Sequence, residues 1–544
     1  MRLFRTWALA LCAMLGALVL GTPAWGHGEA QTPPKRVLVL VLDQLRPDYV
    51  DKFDMRNVKG LMRRGVSFDN AYLGHMASET VISHNVITSG KLPRNMGWSD
   101  EAYRDVDNVL GGGAGAMWIS GSLTRDQFNL LIAHGGYPKL PDYLHGAYPG
   151  SKYIVVGEKN YAAYSSSGPT GDITVTFSSR NFDCDGDGTN NWRGPTGYNV
   201  PPYIADPSCG RYYVDSSTSL DYGTATTPPA WMYPLDGNRF VPGFDPEHLG
   251  GDVWVADAAM DMMGREPWSG MLLTLGAIDK ASHMWGGITD DAEYPPGSPE
   301  EMAHLRFVAR TADEQVGRVV DRLRELGQLD ETLIVLTTDH AGQPSRRFHG
   351  VNAAGRGDFN WYYGETKNGT FLDPSPSLAP LIATGNVRFS YQDSAIRTWL
   401  TDTSREAKRK AAGAMATLPD VIASYRLSGD GSRYRLNTVN WGAMNRSERR
   451  WWLLHGREIV NTMAAPYAAD VVGLLRDDTS YGVAGDHGGA QKPVQRIPIV
   501  FAGAGIGPRD SWARMRSVDI LPTILREMRL PLDAGLDGRA RRLP

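Results

Sequence analysis

The chain lacks most of the features that mark nucleic-acid-binding or disordered proteins. Of its 544 residues, 56 are Lys or Arg and 60 are Asp or Glu, with no basic stripe or basic tail. This balance argues against binding to a nucleic-acid duplex. Long disordered regions are equally unexpected, because 15 Trp and 23 Tyr supply aromatic surface to bury. No internal repeat is evident, and a single large enzyme with insertions fits the length.

Long apolar runs are also missing, with one exception at the N-terminus. Arg2 and Arg5 precede the segment "ALALCAMLGALVLG", and small residues follow at Ala24 and Gly26. This order is typical of a secretory signal peptide, which we assign to residues 1–26. The run is too short for a comfortable membrane span. We therefore expect an exported protein, periplasmic or extracellular, without a membrane span.

Cysteine is scarce. Of the three cysteines, Cys12 lies in the predicted signal peptide, which leaves Cys184 and Cys209. Two cysteines in an exported chain favour a disulfide over a pair of free thiols. Both lie within residues 160–250, whose many Gly, Pro, Ser, Thr, Asn and Tyr residues predict a loop-rich insertion.

An acidic turn inside this insertion has the spacing of a calcium-binding loop. Asp183, Asp185 and Asp187 occupy the first, third and fifth positions, and Asn191 occupies the ninth. The twelfth position holds Gly194 instead of Glu, so the segment is not an EF-hand. It is either a loop stabilised by a structural Ca²⁺ ion or a solvated acidic turn.

Five short apolar runs have the composition of strands that are buried on both faces of a parallel sheet. They are residues 36–43, 152–159, 270–279, 332–340 and 497–504. Helical patterns at residues 299–327 and 517–530 alternate with them. This alternation predicts an α/β fold, in which a central, mostly parallel sheet is sandwiched by helices.

A second region interrupts this alternation. Residues 346–475 contain polar helical patterns, the neighbouring Trp451 and Trp452, and no strong central strand. They predict a second insertion, a small α+β cap. The expected organisation is therefore one catalytic domain at residues 30–544 that carries both insertions.

Three of the apolar runs end on residues that can bind a metal ion, and a further histidine lies in the turn "GVAGDHGG". Ligands of open α/β sheets bind at the carboxyl ends of the strands, so these side chains are expected to meet there. Asp and His together suit zinc or a similar divalent ion. Taken singly, each is more simply a helix cap, a solvated helical pair or a structural turn residue. The candidate ligands are Asp43, Asp279, His283, Asp339, His340 and His487.

In order and spacing, these ligands and the segment "ETVISHNVITSG" resemble the alkaline phosphatase superfamily. The nearest branch is the type I phosphodiesterase/nucleotide pyrophosphatase group, with its phosphatase relatives that use a threonine nucleophile. The pattern T-x-P-N-H-x-x-x-x-T-G of that branch is matched here at Thr80, His84 and Gly90. The resemblance covers roughly three stretches: residues 36–110, 270–345 and 480–530.

The resemblance implies an alkaline phosphatase-like fold and two divalent metal ions, with zinc favoured by the ligand types. It groups the ligands as Asp279, His283 and His487 for one ion, and Asp43, Asp339, His340 and Thr80 for the other. A threonine hydroxyl needs a base or a metal to become a nucleophile, and paired ions can supply that activation. Thr80 then attacks phosphorus, and water hydrolyses the phosphothreonine. The adjacent Ser83 and His84 are not expected to form a triad, because triads are assembled in space.

Two departures from the threonine phosphatases bear on the substrate. Asp100 stands where they often carry an Asn, and their Lys-x-Arg pair is reduced to Lys159, with Tyr161 in place of Arg. An extra carboxylate and a lost guanidinium weaken binding of a dianionic monoester. This favours a diester, a phosphonate or another less charged ester. Lys159 itself is either a phosphate-binding catalytic residue or a solvated lysine at a strand end.

The expected activity is that of an exported two-metal phosphoesterase that hydrolyses small phosphate mono- or diesters through Thr80. Alternatives on the same fold are a phosphonate or sulfate ester hydrolase, or a non-catalytic binding protein. A sulfatase needs a C/S-x-P-x-R motif, which surrounds neither Cys184 nor Cys209. A phosphoethanolamine transferase usually carries several membrane spans. A non-catalytic scaffold predicts missing ligands, whereas all six carboxylate and imidazole ligands are present.

Overall fold

Two β-sheets, one of nine strands and one of seven, dominate the described part of the chain. The structure is a computed structural model that describes residues 32–182, 192–204, 212–213, 249–285, 299–350, 361–371, 375–483 and 485–543. The predicted signal peptide (residues 1–26), the two cysteines of the predicted disulfide (Cys184 and Cys209) and the candidate calcium loop from Asp183 lie outside the described residues.

The larger sheet is mostly parallel. Its strands, numbered in chain order with all others, are β1 (Arg36–Leu42), β2 (Val66–Tyr72), β5 (Lys152–Gly157), β6 (Ile173–Phe182), β7 (Trp192–Tyr198), β10 (Trp268–Leu275), β11 (Thr332–Thr337), β21 (Ile499–Gly503) and β22 (Arg509–Arg516). Their spatial order is β22-β2-β21-β11-β1-β10-β5-β6-β7. Strand β1 pairs in parallel with both β10 and β11, whereas β21 runs antiparallel to its two neighbours. The prediction of a central, mostly parallel sheet is confirmed.

Helices cover both faces of this sheet because its strands are apolar on both sides. Successive side chains of a strand point to opposite faces, so Leu38 and Leu40 of β1 join one core, whereas Val39 and Val41 join the other. The first core is closed by α1 (Pro47–Lys52), α2 (Arg56–Arg64), α7 (Gly251–Arg265), α8 (Ala277–Trp285) and α9 (Pro299–Glu325). The second is closed by α3 (Thr80–Ser89), α5 (Leu140–Ala147), α6 (Asn160–Ser167) and α15 (Ile520–Glu527).

The smaller sheet is antiparallel throughout. Its strands are β13 (Tyr362–Thr366), β14 (Gly369–Phe371), β15 (Val387–Gln392), β16 (Ala395–Leu400), β17 (Val421–Leu427), β18 (Tyr434–Val439) and β19 (Val471–Leu475). Their order is β14-β13-β15-β16-β19-β17-β18, and β16 and β19 are buried along their whole length. All seven strands lie within residues 346–475, for which we expected no strong central strand; that expectation was wrong. Its helices are α10 (Ala379–Ile382), α11 (Arg405–Met415), α12 (Arg446–Trp451) and α13 (Arg457–Asn461).

The remaining β-strands and α-helices of the described residues are three two-stranded pairs and two helices. Three two-stranded pairs are β3 (Ala102–Asp105) with β4 (Ala116–Ile119), β8 (Tyr212–Tyr213) with β9 (Leu249–Gly250), and β12 (Arg347–Phe348) with β20 (Thr479–Ser480). Two further helices are α4 (Arg125–Gly135) and α14 (Lys492–Gln495). Within the described ranges, none of the helices is both long and apolar enough to cross a membrane.

The start of the first predicted insertion differs from the observed architecture. Residues 160–198, which we assigned to the loop-rich insertion, include α6, β6 and β7. Strands β6 and β7 extend the larger sheet beyond β5. These two strands contain polar residues and glycines instead of a continuous apolar run, so the sequence did not indicate that they belong to the sheet.

The central position of β1 generates a stability prediction. Leu40 is 1% exposed and lies between Leu273 of β10 and Leu336 of β11. We expect Leu40→Ala to lower the free energy of unfolding by about 2–5 kcal/mol, because it removes buried methyl groups and leaves a cavity. Urea unfolding measures the loss. Leu130→Ala is the control, since Leu130 is 52% exposed and its loss is expected to cost less than about 0.5 kcal/mol. Equal costs for both variants contradict the assigned core.

Candidate two-metal active site

The candidate ligands come together at one edge of the larger sheet. Asp43 directly follows β1, and its backbone N–H donates to the carbonyl of Leu275 at the end of β10 (2.9 Å). Asp339 lies two residues after β11, and Asp279 lies in the first turn of α8 after β10. Because β10, β1 and β11 are adjacent and parallel, their carboxyl ends place these three carboxylates side by side.

Asp279 anchors the first group of ligands. His283 lies four residues later on the same face of α8, and its Nε2 is 3.2 Å from Asp279 Oδ1. His487 contributes from the glycine-rich turn, with Nε2 3.6 Å from the same oxygen. One possible ligand atom from each of the three side chains lies within 4.8 Å of those of the other two, and all three residues are buried.

His340 lies at the centre of the second group. Its Nε2 is 3.4 Å from Asp43 Oδ1 and 3.5 Å from Asp339 Oδ2. The hydroxyl Oγ1 of Thr80, the first residue of α3, lies 3.2 Å from the same nitrogen. A single imidazole nitrogen can donate at most one proton, so it cannot satisfy three oxygens at once. A divalent cation bound by these atoms resolves the mismatch, and the donor set therefore fits a metal ion.

The two groups are neighbours. The imidazole rings of His340 and His487, one from each group, stack with 3.7 Å between their centroids and 19° between their planes. The two groups are therefore separate sets of three residues that contact each other through these two rings. This arrangement could hold a pair of divalent ions.

Burial determines the protonation of the groups. Burial, followed by repulsion from Asp279 and Asp339, raises the pKa of Asp43 well above its ordinary value. For Asp279, burial is outweighed by Lys159 and His283, which hold its pKa well below the ordinary value. Burial lowers the pKa of His340 and that of His487 far below the ordinary range. Both rings are therefore neutral at physiological pH, which is the form that binds metal ions.

Lys159 joins the two groups. Its Nζ lies 2.6 Å from Asp43 Oδ2 and 2.5 Å from Asp279 Oδ2, and it is 3.5 Å from Thr80 Oγ1. Burial lowers the pKa of Lys159, but the two carboxylates more than compensate and raise it well above the ordinary value. The side chain is only 4% exposed. Lys159 is therefore not the solvated strand-end lysine of our second interpretation.

Neither His84 nor Ser83, the neighbours of Thr80 on α3, contacts the other as a base–nucleophile pair would. His84 shares a 2.8 Å hydrogen bond between Nδ1 and the carbonyl of Thr80, and a 2.9 Å bond between Nε2 and Thr274 Oγ1. The hydroxyl of Ser83 has no hydrogen-bond partner among the described residues. His84 thus fixes α3 to strand β10 and does not act as a base for Ser83.

Known proteins share the sequence pattern and the fold. The model of the type I phosphodiesterase/nucleotide pyrophosphatase family matches residues 37–110, which include Asp43 and Thr80. The chain is 22% identical to the alkaline phosphatase PhoK of a Sphingomonas species over 555 residues, 94% of this chain and 91% of PhoK. The chain is thus similar to members of the alkaline phosphatase superfamily. Its sequence and motifs identify it as a phosphoric ester hydrolase of the branch that contains the type I phosphodiesterases and nucleotide pyrophosphatases.

Solved structures of this superfamily share the fold over nearly the whole chain. Wild-type alkaline phosphatase PafA has a TM-score of 0.61 at 15% identity, over 94% of this chain and 99% of PafA. An inactive threonine-to-alanine variant of murine ectonucleotide pyrophosphatase/phosphodiesterase 5, in complex with AMP, has a TM-score of 0.51 at 12% identity. That match covers 93% of this chain and 97% of the murine protein. The predicted alkaline phosphatase-like fold is confirmed.

The surroundings of Asp100 correct one sequence argument. We expected Asp100 to act as an extra carboxylate that weakens binding of a dianionic monoester. Instead, its Oδ2 lies 2.8 Å from Nε of Arg397, a fully buried residue of β16. The adjacent Glu101 accepts hydrogen bonds from the hydroxyls of Tyr391 (3.1 Å) and Tyr362 (3.4 Å). Sequence reasoning missed Arg397 because nothing near it in the chain marks it as part of a site.

The contacts of α3 generate a test of the serine interpretation. We expect Ser83→Ala to keep turnover of a nitrophenyl phosphate ester within about twofold, because the change removes a buried hydroxyl without a described partner and costs little. Steady-state kinetics measure the turnover, and thermal unfolding measures the change in stability. A loss of turnover of about a thousandfold contradicts the assignment and restores Ser83 as the nucleophile.

Proposed function

We propose that this protein is a two-metal phosphoesterase that uses Thr80 as its nucleophile. The observation that carries the proposal is the position of Thr80 Oγ1, which lies 3.2 Å from His340 Nε2. The hydroxyl is therefore beside the two Asp/His groups, whose His340 and His487 rings stack on each other. The mixture of carboxylate and imidazole ligands favours Zn²⁺. The described threonine-to-alanine variant of the murine relative is inactive, which supports a threonine in this role.

The metal ions, when bound by the six Asp and His residues and Thr80, supply activation of the nucleophile and stabilisation of charge on the phosphoryl oxygens. Thr80 begins α3, so the positive end of the helix dipole also faces an incoming phosphate. The ammonium group of Lys159, 3.5 Å from the hydroxyl, adds a further positive charge there.

The reaction proceeds in two displacements. Thr80 Oγ1 gives up its proton and forms a bond to phosphorus while the bond to the leaving alkoxide breaks, and the alkoxide takes up a proton to become the alcohol. Water then attacks the phosphothreonine, which releases the phosphoryl product and returns the threonine hydroxyl. A diester substrate yields a monoester, and a monoester yields inorganic phosphate.

The matched variants Thr80→Ala and Ser83→Ala test this proposal. We expect Thr80→Ala to lose turnover of bis-4-nitrophenyl phosphate by at least about a thousandfold, because removal of a covalent nucleophile typically costs this much. Ser83→Ala serves as the neighbouring hydroxyl control. Metal analysis of the wild type is expected to find about two zinc ions per chain, and EDTA is expected to abolish turnover.

Undiminished turnover by Thr80→Ala contradicts the proposed nucleophile. Full activity of a protein shown to be metal-free contradicts the two-metal assignment. Either result is independent of the similarity to the superfamily, which rests on sequence and fold.

Diesters are the favoured substrate class within this proposal. Tyr161 replaces the arginine of the Lys-x-Arg pair, so Lys159 is the remaining cation of that pair. Glu101 lies near the start of α3, because its backbone N–H donates to Oε2 of Glu79 (3.3 Å), the residue before Thr80. A carboxylate at this position repels the second negative charge of a monoester more than it repels a diester.

A charge-neutral variant tests this preference. We expect Glu101→Gln to raise kcat/KM for 4-nitrophenyl phosphate about tenfold relative to kcat/KM for the bis-4-nitrophenyl diester, since one nearby negative charge is worth roughly 1–2 kcal/mol at this range. Glu365→Gln is the control, because Glu365 is an exposed residue of β13. An unchanged ratio in Glu101→Gln contradicts the role assigned to Glu101.

We also propose that the enzyme acts outside the cytoplasm and that residues 346–475 serve as its cap. The signal-like segment at residues 1–26 supports export. Three residues of the smaller sheet support the cap: Tyr362 and Tyr391 bind Glu101, and Arg397 binds Asp100.

A further inference from the structure

One buried arginine of the smaller sheet contacts three carboxylates. Arg397 of β16 is fully buried, and its guanidinium lies 4.2 Å from the ring centroid of Tyr391. Nη2 is 2.7 Å from Glu79 Oε1, and Nε is 2.8 Å from Asp100 Oδ2. Asp393 accepts two bonds, 3.0 Å from Nη1 and 2.7 Å from Nη2. A guanidinium that is buried with this many partners holds each of them in a defined position.

The first partner, Glu79, is joined directly to the nucleophile. Glu79 is the N-cap residue of α3, and its carbonyl accepts the backbone N–H of Ser83 at 2.9 Å. Its side chain makes no capping bond to the helix and instead reaches Arg397. The backbone that carries Thr80 is therefore held from one side by the smaller sheet.

The partner Asp393 is joined to the turn that carries His487. The next residue, Ser394, donates its backbone N–H to the carbonyl of His487 at 2.9 Å. Gly488 packs so closely on Asp393 that an added Cβ would lie 1.8 Å from Oδ2. Gly488 in turn donates its backbone N–H to the carbonyl of Ser78 (3.2 Å), two residues before Thr80. Arg397 thus contacts both segments whose relative position sets the distance between Thr80 and His487.

The fork of the guanidinium is essential to this arrangement. Nη1 and Nη2 donate hydrogen bonds to Asp393, while Nη2 and Nε also lie within ion-pair distance of Glu79 and Asp100. A lysine ammonium in the same place keeps the charge but is a single point donor on a flexible stem. The exchange of Arg for Lys therefore loosens the geometry without removing the charge.

We propose that Arg397 is a positioning residue that fixes the Thr80 hydroxyl relative to the His487 turn. This inference rests on the proposed function of Thr80 as nucleophile. Arg397 acts through Glu79 and Asp393 and contributes no atom to the reaction. A misplacement of the attacking oxygen by about 1 Å costs up to about a hundredfold in rate, so the effect belongs to kcat more than to KM.

The variant Arg397→Lys tests the inference. We expect kcat for bis-4-nitrophenyl phosphate to fall about 10–100-fold, with KM within about threefold and with the zinc content of the wild type. Each kcat is divided by the folded fraction measured by circular dichroism. Glu79→Gln, which alters a single arm and keeps the shape, is expected to lower kcat in the same direction by a smaller factor and covers a failure of Arg397→Lys to fold.

Arg104→Lys is the matched control. Arg104 forms a buried ion pair with Asp470 (side chains 11% and 1% exposed), which lies just before β19. We expect Arg104→Lys to lower the melting temperature while kcat per folded molecule stays at the wild-type value. This control separates damage to the smaller sheet from displacement of Thr80.

Two results overturn the inference. One is a wild-type kcat per folded molecule in both Arg397→Lys and Glu79→Gln. The other is a parallel loss of zinc, stability and activity in both, which assigns Arg397 a purely structural role. Thr80→Ala, measured in parallel, distinguishes the two proposals: if it is inactive while Arg397→Lys is unchanged, only the positioning role fails. If Thr80→Ala is active, the proposed nucleophile fails first.

Discussion

Repulsion among buried carboxylates is the constraint on which the rest of this site depends. Asp43, Asp279 and Asp339 are gathered at the ends of three adjacent strands, where water cannot screen them. Isolated buried charges cost several kcal/mol each, so they persist only with cations nearby. Lys159 supplies one cation by bridging Asp43 and Asp279. Divalent ions could balance the remaining charge, because the imidazoles of His340 and His487 complete two groups of side chains that are able to hold a metal ion.

The same principle recurs one layer further out. Glu79, Asp100 and Asp393 surround the single guanidinium of Arg397. Burial raises the pKa of Asp100 to about 7 even though Arg397 opposes the shift. One guanidinium therefore does not balance the negative charge of three carboxylates, and protonation removes part of what is left. In the two proposals, the inner layer holds cations for chemistry, and the outer layer uses the Arg397 guanidinium for geometry.

The sequence predicted those parts of the fold and the site that are local in the chain. Asp43 and Asp339 follow apolar runs directly, so the strand pattern alone locates them at a sheet edge. Arg397 lies in "AIRTWL", a strand whose polar residues are buried only because distant segments cover them. The buried central strands of the predicted α+β cap were missed for the same reason. Strand β22 was missed because "RDSWARMR" is a largely exposed edge strand with charged residues on both sides.

The hydrogen bonds around the site also determine when it can form. Thr80 meets His340 across 260 residues of chain, and Gln44 donates its side-chain amide to the carbonyl of Gly485 across 441 residues (3.1 Å). Such contacts have a high cost in loop-closure entropy and form late in folding. During synthesis, the strand before Asp43 is made well before the turn that carries His487, so the complete site cannot form until both segments are present. Metal capture is therefore expected to mark the end of folding, after which bound ions oppose unfolding by mass action.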